Sequence, residues 1–345
     1  MGKLPAMVNK KKSKRVSLKD IAEKVGVSTA LVSYVLNGQE KEKRVGEKLV
    51  TEIRAALKEM NYVPNHIARS LRNGKTQTIG FIVTDIANPF FSTMARCVED
   101  EASKYGYTVI IGSSDENCEK SKRLVNTLLN RQVDGFIIVP ADGCYDYAVT
   151  LANDEVPMVM VDRYIPDLTS SYIVLENFKA SFDAVQYLIK KGYKNIGMLA
   201  YKTSLIHMKE RIRGYEEAVR LNGLEKNLYN IRYGFLKSDI HKALQSLDGS
   251  SKNKIDALFF ATNTLSIAGL YQIRQMNLKV PQDIALIGFD GNEAFDFFYS
   301  PLTYVKQPVY EMGKEAVRIL IEQIDGSKKI SHISLPPQLV LRDSC

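Results

Sequence analysis

Ser17-Leu18-Lys19-Asp20-Ile21-Ala22-Glu23-Lys24-Val25-Gly26-Val27-Ser28-Thr29-Ala30-Leu31-Val32-Ser33-Tyr34-Val35-Leu36-Asn37 reads as two short helices around one glycine turn. Ser17, followed three residues later by Asp20, is a capping signal that opens the first helix. Ile21, Ala22 and Val25 give that helix one apolar face. Gly26 supplies the left-handed backbone that ends it, and Ser28 is placed to cap a second helix at once. From the second helix Val32, Val35 and Leu36 turn inward, which leaves Thr29, Ala30, Ser33 and Tyr34 outside. A small, uncharged outer face framed by lysines and arginines is what a helix entering the DNA major groove needs.

The charge distribution agrees. The 345-residue chain carries a formal +8, but residues 1–75 hold 17 Lys or Arg against 7 Asp or Glu, a net +10, so the other 270 sum to −2. A basic head on a near-neutral body is the footprint of a nucleic-acid-binding module joined to something else. Taken alone, Lys10-Lys11-Lys12-Ser13-Lys14-Arg15 would equally fit a solvated tail; the helix pair beside it decides for DNA. Residues 1–15 are read as a basic tail, with Met1 to Ala6 an addition ahead of a natural start at Met7. The length allows two or three domains. Cys97, Cys118, Cys144 and Cys345 show neither CxxC nor metal-ligand spacing and read as reduced thiols of a cytoplasmic protein. No apolar run is long enough for a membrane span, and the start is too charged for a signal peptide, so no membrane partner is expected.

Beyond the helix pair, a third helix is expected from Glu47 to Met60, packing through Leu49, Ile53, Ala56 and Leu57 and stopped by Asn61-Tyr62-Val63-Pro64. These elements make a small all-α head over residues 16–63. Residues 64–76 form a connector in which Asn65 caps a helix too short to be stable alone. From Thr78 the pattern becomes alternating apolar strands and amphipathic helices. Strands are expected at 79–83, 107–111, 135–139, 158–161, 195–199, 257–260 and 284–287, and helices at 91–105, 178–191 and 309–324. Residues 77–345 are therefore read as an α/β body of two doubly wound, parallel-sheet lobes.

Ligands of such sheets sit beyond the carboxyl ends of the strands, and a cleft between lobes is a favoured site. Asp290, after the strand ending at Ile287, can accept two sugar hydroxyls or ring N–H groups. Arg211, expected to open a helix, can add a fork of donors. Asn263 offers both donor and acceptor, while Phe90, Phe91 and, more weakly, Phe235 could stack on a ring. The plain readings are a helix cap for Asp290, a surface ion pair for Arg211 and core packing for the phenylalanines.

From about Val16 to Arg342 the chain resembles the LacI/GalR family of bacterial repressors. The resemblance is carried by Leu18-Lys19-Asp20-Ile21-Ala22, Gly26-Val27-Ser28, Val35-Leu36-Asn37-Gly38, Asn61-Tyr62-Val63-Pro64-Asn65, Ala68-Arg69-Ser70-Leu71, Asn88-Pro89-Phe90-Phe91, Gly288-Phe289-Asp290 and Gln307-Pro308. Each piece is weak alone; their order and spacing together are specific. The resemblance implies lobes of the type I periplasmic-binding-protein kind, and a homodimer whose heads each read one half of a near-palindromic double-stranded operator. It implies base contacts at Thr29, Ala30 and Tyr34 and phosphate contacts at Ser28, Ser33 and Asn37. It places Asn65, His66, Ala68 and Leu71 at the minor groove, with Leu71 wedging between base pairs or packing the dimer. Phe90, Phe91, Arg211, Phe235, Asn263 and Asp290 line the small-molecule effector site in this reading.

Tyr34 departs from the family pattern, which often has arginine there and so a bidentate guanine contact. Thr264 stands where aspartate is common, Glu176-Asn177 where Asp-Asn is frequent, and Leu205 and His207 replace the polar positions of the purine-responsive branch. The expected effector is a sugar or sugar derivative, with a nucleobase as the alternative. An enzyme is not expected. Gly74-Lys75-Thr76 lacks the earlier glycine of a phosphate loop, no G-x-G-x-x-G follows the first strand, and His66, His207, His241 and His332 sit in no triad or metal spacing. No cofactor is called for. A sugar-binding transport receptor is disfavoured by the basic head.

Overall fold

A computed structural model describes residues 16–62, 74–245 and 254–345. The chain forms two compact units, Met1–Gly74 and Lys75–Cys345.

In the first unit, α1 (Leu18–Val25), α2 (Thr29–Leu36) and α3 (Glu47–Glu59) pack around Ile21, Val32 and Ile53, none of which reaches solvent. The capping box forms: the Ser17 N–H donates to Asp20 Oδ2 at 2.7 Å and the Asp20 N–H to Ser17 Oγ at 3.3 Å. Gly26 ends α1 at φ +75°, where an L side chain would be strained. Ser28 then caps α2 through the Leu31 N–H. Two turns thus fix the angle between two short helices that have little stability of their own. The expected connector helix, with Asn65, His66, Ala68 and Leu71, lies outside the described residues.

The second unit has two six-stranded sheets. One is built from β1 (Thr78–Val83), β2 (Thr108–Ser113), β3 (Gly135–Ile138), β4 (Met158–Val161), β5 (Ser171–Leu175) and β11 (His332–Leu335), in the order β11-β5-β4-β3-β1-β2, all parallel. Helices α4 (Pro89–Lys104) and α12 (Val309–Ile324) cover one face over Phe81, Met94 and Leu320. Helices α5 (Cys118–Asn130) and α6 (Tyr145–Asn153) cover the other over Ile82, Val125 and Phe136. The second sheet holds β6 (Ile196–Tyr201), β7 (Asn227–Ile231), β8 (Ala257–Phe260), β9 (Ala285–Phe289), β10 (Thr303–Lys306) and β12 (Gln338–Val340), in the order β12-β10-β9-β8-β6-β7. Around it lie α7 (Asn177–Lys190), α8 (Ile206–Leu221), α9 (Leu236–Gln245), α10 (Asn263–Gln275) and the short α11 (Glu293–Phe297). The chain passes between the lobes three times, after β5, β10 and β11.

The two doubly wound lobes expected from the sequence are present, with three differences. β12 pairs antiparallel to β10, so the second sheet is not wholly parallel. Arg211 does not open a helix; it sits in the second turn of α8, which starts at Ile206. The reading of four reduced thiols is corrected: Cys118 and Cys144 form a disulfide, while Cys97 and Cys345 are free. Linear spacing could not reveal that pair, because the half-cystines follow β2 and β3, which flank β1 on opposite sides.

Gly214 lets α7 and α8 approach closely. A Cβ there would run into the Phe178 carbonyl oxygen, a backbone atom that cannot swing aside. Gly214→Ala should therefore lower the unfolding free energy by about 2 kcal/mol or more, the scale of core overpacking, as read from a urea midpoint. A stability equal to the parent's would show that these helices separate at little cost.

Candidate functional site

On the head, Ser28, Thr29 and Ala30 are exposed, and Ser33 and Tyr34 half-buried beside them, because Val32 and Val35 take the inward face of α2. The Asn37 amide donates to the Ser33 carbonyl at 2.7 Å and to its hydroxyl at 3.2 Å, closing the end of α2. Lys43 Nζ lies 5.9 Å from the Tyr34 ring centroid, so the tyrosine offers a hydroxyl and ring face next to a cation.

In the body, a cavity of about 450 Å³ opens at the carboxyl ends of both sheets. Its floor is Arg211, a guanidinium almost removed from solvent at 2 % exposure. Arg211 Nε donates to Asn177 Oδ1 at 2.8 Å and Nη1 to the Ala261 carbonyl at 2.7 Å. The guanidinium lies 3.7 Å from the Phe289 ring centroid. Burial pulls its pKa down, while Asp290 and Asp162 favour its charged form. Asp290 follows β9 directly in the left-handed region, φ +62°, and its Oδ1 accepts the Gln307 amide at 2.7 Å. Gln307 belongs to the crossover after β10, so this bond ties the site to a link between lobes.

A second arginine was missed by sequence reasoning. Arg163, 3 % exposed, donates Nη1 and Nη2 to the two oxygens of Glu116 at 2.9 and 2.8 Å and lies 3.3 Å through Nε from Asp162. It follows β4 with no motif to mark it; the one available signal was its position, just past a strand end. Asp115, Glu116 and Asp162 all have positive φ, as Asp290 does, so strained non-glycine backbone gathers at this cavity. Tyr201 and Tyr233, also unforeseen, stack with centroids 4.1 Å apart and planes at 6°. Desolvation pushes the Tyr201 phenol up to about 12, so both rings remain neutral donors at physiological pH.

Phe90 and Phe91 line the same cavity edge to face, with centroids 4.9 Å apart. Phe235 does not reach it. It is 54 % exposed under Arg232, and its neighbour Tyr233 supplies the aromatic wall instead. Asn263 is buried, with Nδ2 3.4 Å from the Asp290 carbonyl, and faces an adjoining chamber rather than this one. Two buried polar atoms of the lining, His207 Nδ1 and Gln307 Oε1, have no partner. His207 stays neutral, because burial and then the charges of Arg163 and Arg211 lower its pKa. Unpaired buried polar atoms of this kind are costly unless something binds them.

A helix-turn-helix head and a two-lobed body with a polar cleft define a DNA-binding protein with a ligand-binding domain. Residues 17–65 match the lacI family of bacterial regulatory proteins, and residues 185–345 a periplasmic-binding-protein-like domain. The chain is 32 % identical over 321 residues to the transcriptional repressor CytR of Escherichia coli, covering 93 % of each. It is 33 % identical over 334 residues to the repressor PurR of Aliivibrio fischeri, covering 95 % of this chain and 98 % of that one. The crystal structure of the Lac repressor dimer bound to operator and the anti-inducer ONPF superposes with a TM-score of 0.84 at 25 % identity, covering 96 % and 99 %. The chain belongs to the LacI family. It is a DNA-binding transcriptional regulator, not an enzyme. Among the described residues no helix is long and apolar enough to cross a membrane.

Loss of hydration inside the cleft pushes the Asp290 carboxyl up to about 6, against the opposing pull of Arg211 and the Gln307 amide. A carboxyl raised above its ordinary 3.8 is disfavoured as an anion in the fold, so its contribution to stability is full below that value and lost as pH rises through 6. A rise of about two pH units corresponds to about 3 kcal/mol. Asp290→Asn should therefore be more stable than the parent at pH 7.5 by on the order of 2 kcal/mol, with the gap closing towards pH 4. Urea midpoints at the two pH values test this; a variant less stable at pH 7.5 would show that Arg211 outweighs desolvation.

Proposed function

We propose that this chain is a repressor that binds operator DNA as a homodimer and is controlled by an uncharged sugar or sugar derivative held between the lobes of its body. The observation that carries the ligand class is the cleft's polarity. Asp85, Asp115, Glu116, Asp162 and Asp290 line it, against Arg163 and Arg211 with Lys120 paired to Asp115 from outside. Glu116 and Asp162 already occupy Arg163, and Asn177 and Ala261 take the Nε and Nη1 of Arg211, so the carboxylates of the lining outnumber the guanidiniums and one of the two arginines is fully engaged by them. An excess of carboxylates repels an anion but accepts hydroxyl donors, and the open Gln307 Oε1 adds one more acceptor. The stacked Tyr201–Tyr233 pair also suits a flat ring, which supports a nucleobase as the second reading.

Similarity to the operator-bound Lac repressor dimer supports the homodimer and the operator. On this reading α2 reads the major groove through Thr29, Ala30 and Tyr34, Ser28, Ser33 and Asn37 hold phosphates, and the connector, with Asn65, His66, Ala68 and Leu71, enters the minor groove. Whichever sign the response takes, the effector must bind one lobe arrangement better than the other.

Selection of binding sites from random DNA, repeated with panels of sugars, sugar phosphates and nucleobases, tests both halves. The expected outcome is one near-palindromic site whose occupancy responds to a neutral sugar and not to its phosphate ester. Asp290→Asn should abolish that response while still selecting the same site without ligand. Leu71→Ala should weaken operator binding at least tenfold at fixed salt with an unchanged thermal midpoint; unaltered affinity would remove the wedge from the reading.

A further inference from the structure

The disulfide joins two loops that each hold part of the cleft in place. Cys118 opens α5 just after Glu116, whose carboxylate takes the two Nη donors of Arg163 at 2.9 and 2.8 Å. Cys144 is the N-cap of α6 just after Asp142, which accepts the Ser204 and Thr203 hydroxyls of the other lobe at 2.5 and 3.4 Å. The loops come from β2 and β3, on either side of β1, so the bridge crosses the carboxyl end of β1, where Thr84 and Asp85 line the cavity. One sulfur is within reach of solvent and the other is not: Cys118 is half-buried, whereas Cys144 is 5 % exposed. The first-turn amides of α6 have no side-chain cap, so a thiolate released at Cys144 gains N–H donors there. Burial pushes the thiols of the free Cys97 and Cys345 above the ordinary range, which leaves them poor competitors in exchange.

We propose that Cys118 and Cys144 are a reversible exchange site for low-molecular-weight thiols and disulfides, and that its redox state biases the lobe arrangement whichever effector the cleft takes. Reduction begins at the accessible sulfur. A small thiolate attacks Cys118, the bridge breaks, Cys118 carries a mixed disulfide, and Cys144 leaves as a thiolate and takes up a proton. A second small thiolate then attacks the small-molecule sulfur of that mixed disulfide, which frees Cys118 and releases the small disulfide. Oxidation is the reverse: Cys118 attacks a small disulfide, and Cys144 displaces the remaining small thiolate to close the bridge. The pair thus gives two electrons to the small disulfide, which departs as two thiols. A DNA-binding regulator works where its operator is, among thiols that make static bridges rare, and the bridges that do form there are usually transient or redox-sensing. Placement supplies the consequence. With the bridge open, the Asp142 loop keeps its place through rim hydrogen bonds worth on the order of 1 kcal/mol each, so its hold on Ser204 in the other lobe loosens.

The test equilibrates the folded full chain in mixtures of reduced and oxidised glutathione and assigns each cysteine by alkylation and mass spectrometry. The Cys118–Cys144 bridge should open and close reversibly while Cys97 and Cys345 stay unmodified. Cys144→Ser should trap glutathione on Cys118, whereas Cys118→Ser should leave Cys144 bare. Amide exchange at residues 203–205, in the lobe that carries neither cysteine, should be about fivefold faster in the reduced parent. Affinity for the operator selected from random DNA should differ about fivefold or more between the two states, and should ignore redox state in Cys118→Ser/Cys144→Ser. A bridge with a merely structural role would alter exchange beside the cysteines alone. The proposal is overturned by a bridge that glutathione opens only in denaturant, by glutathione trapped on Cys144 instead of Cys118, or by two states alike in both residue 203–205 exchange and operator affinity. Should the serine variants fail to fold, the parent in its two states still decides. No sugar enters these measurements, so their failure leaves the reading of the cleft untouched.

Discussion

Everything in the body turns on one desolvated guanidinium. Arg211 is held at 2.8 Å by Asn177, at 2.7 Å by the carbonyl after β8, and against the Phe289 ring at the end of β9. A charge taken out of water is tolerated only when its donors are satisfied. The elements that hold Nε and Nη1 are thereby fixed relative to one another. Asn177 begins the helix entered from the first crossover, and Gln307, bonded to Asp290, belongs to the second. The ligand platform and two of the links between lobes are therefore one hydrogen-bonded assembly. A ligand that takes up Asp290 or Gln307 acts on the links directly, without a long relay.

The lobes are also joined in front of this assembly. Asp142, after β3, accepts the Ser204 hydroxyl at 2.5 Å and the Thr203 hydroxyl at 3.4 Å from the loop after β6. Those bonds lower the Asp142 pKa, Ser204 contributing most. Hydrogen bonds at a partly solvated rim are worth on the order of 1 kcal/mol each, so they bias the lobe arrangement without locking it. Such a bias is what regulation requires: a few kcal/mol of differential affinity suffices to shift the populations of two states. The left-handed backbone at Asp115, Glu116, Asp162 and Asp290 fits the same picture, since strained turns at strand ends aim carboxylates into the cleft at a cost the sheets behind them can sustain.

How much of this could be read from the chain depended on what kind of interaction made each feature. The two turns of the head are local, and Ser17-Asp20, Gly26 and Ser28 place both helices within a residue of their observed bounds. Buried strands announce themselves by continuous apolar runs, so 158–161 and 257–260 coincide with β4 and β8. Edge strands other than β2 do not. Asn227–Ile231 and Gln338–Val340 alternate or are short, and only their neighbours make them strands. Asp290 was legible because it follows such a run; Arg163 and Glu116 were not, because each matters through a partner 47 residues away. Phe235 shows the converse failure: an aromatic in the right segment turns outward, and the one two residues earlier turns in.

The charge asymmetry that first separated head from body has a second meaning once the cleft is built. The body's near-neutral sum of −2 hides an interior site whose lining holds five carboxylates against two arginines. Electrostatics therefore draws polyanionic DNA to the first 75 residues and away from the cleft. Coupling between the sites then requires no shared chemistry. It requires that the arrangement held by Arg211, Asp290 and Gln307 be one of two that the body can adopt, and that the head's grip on DNA differ between them.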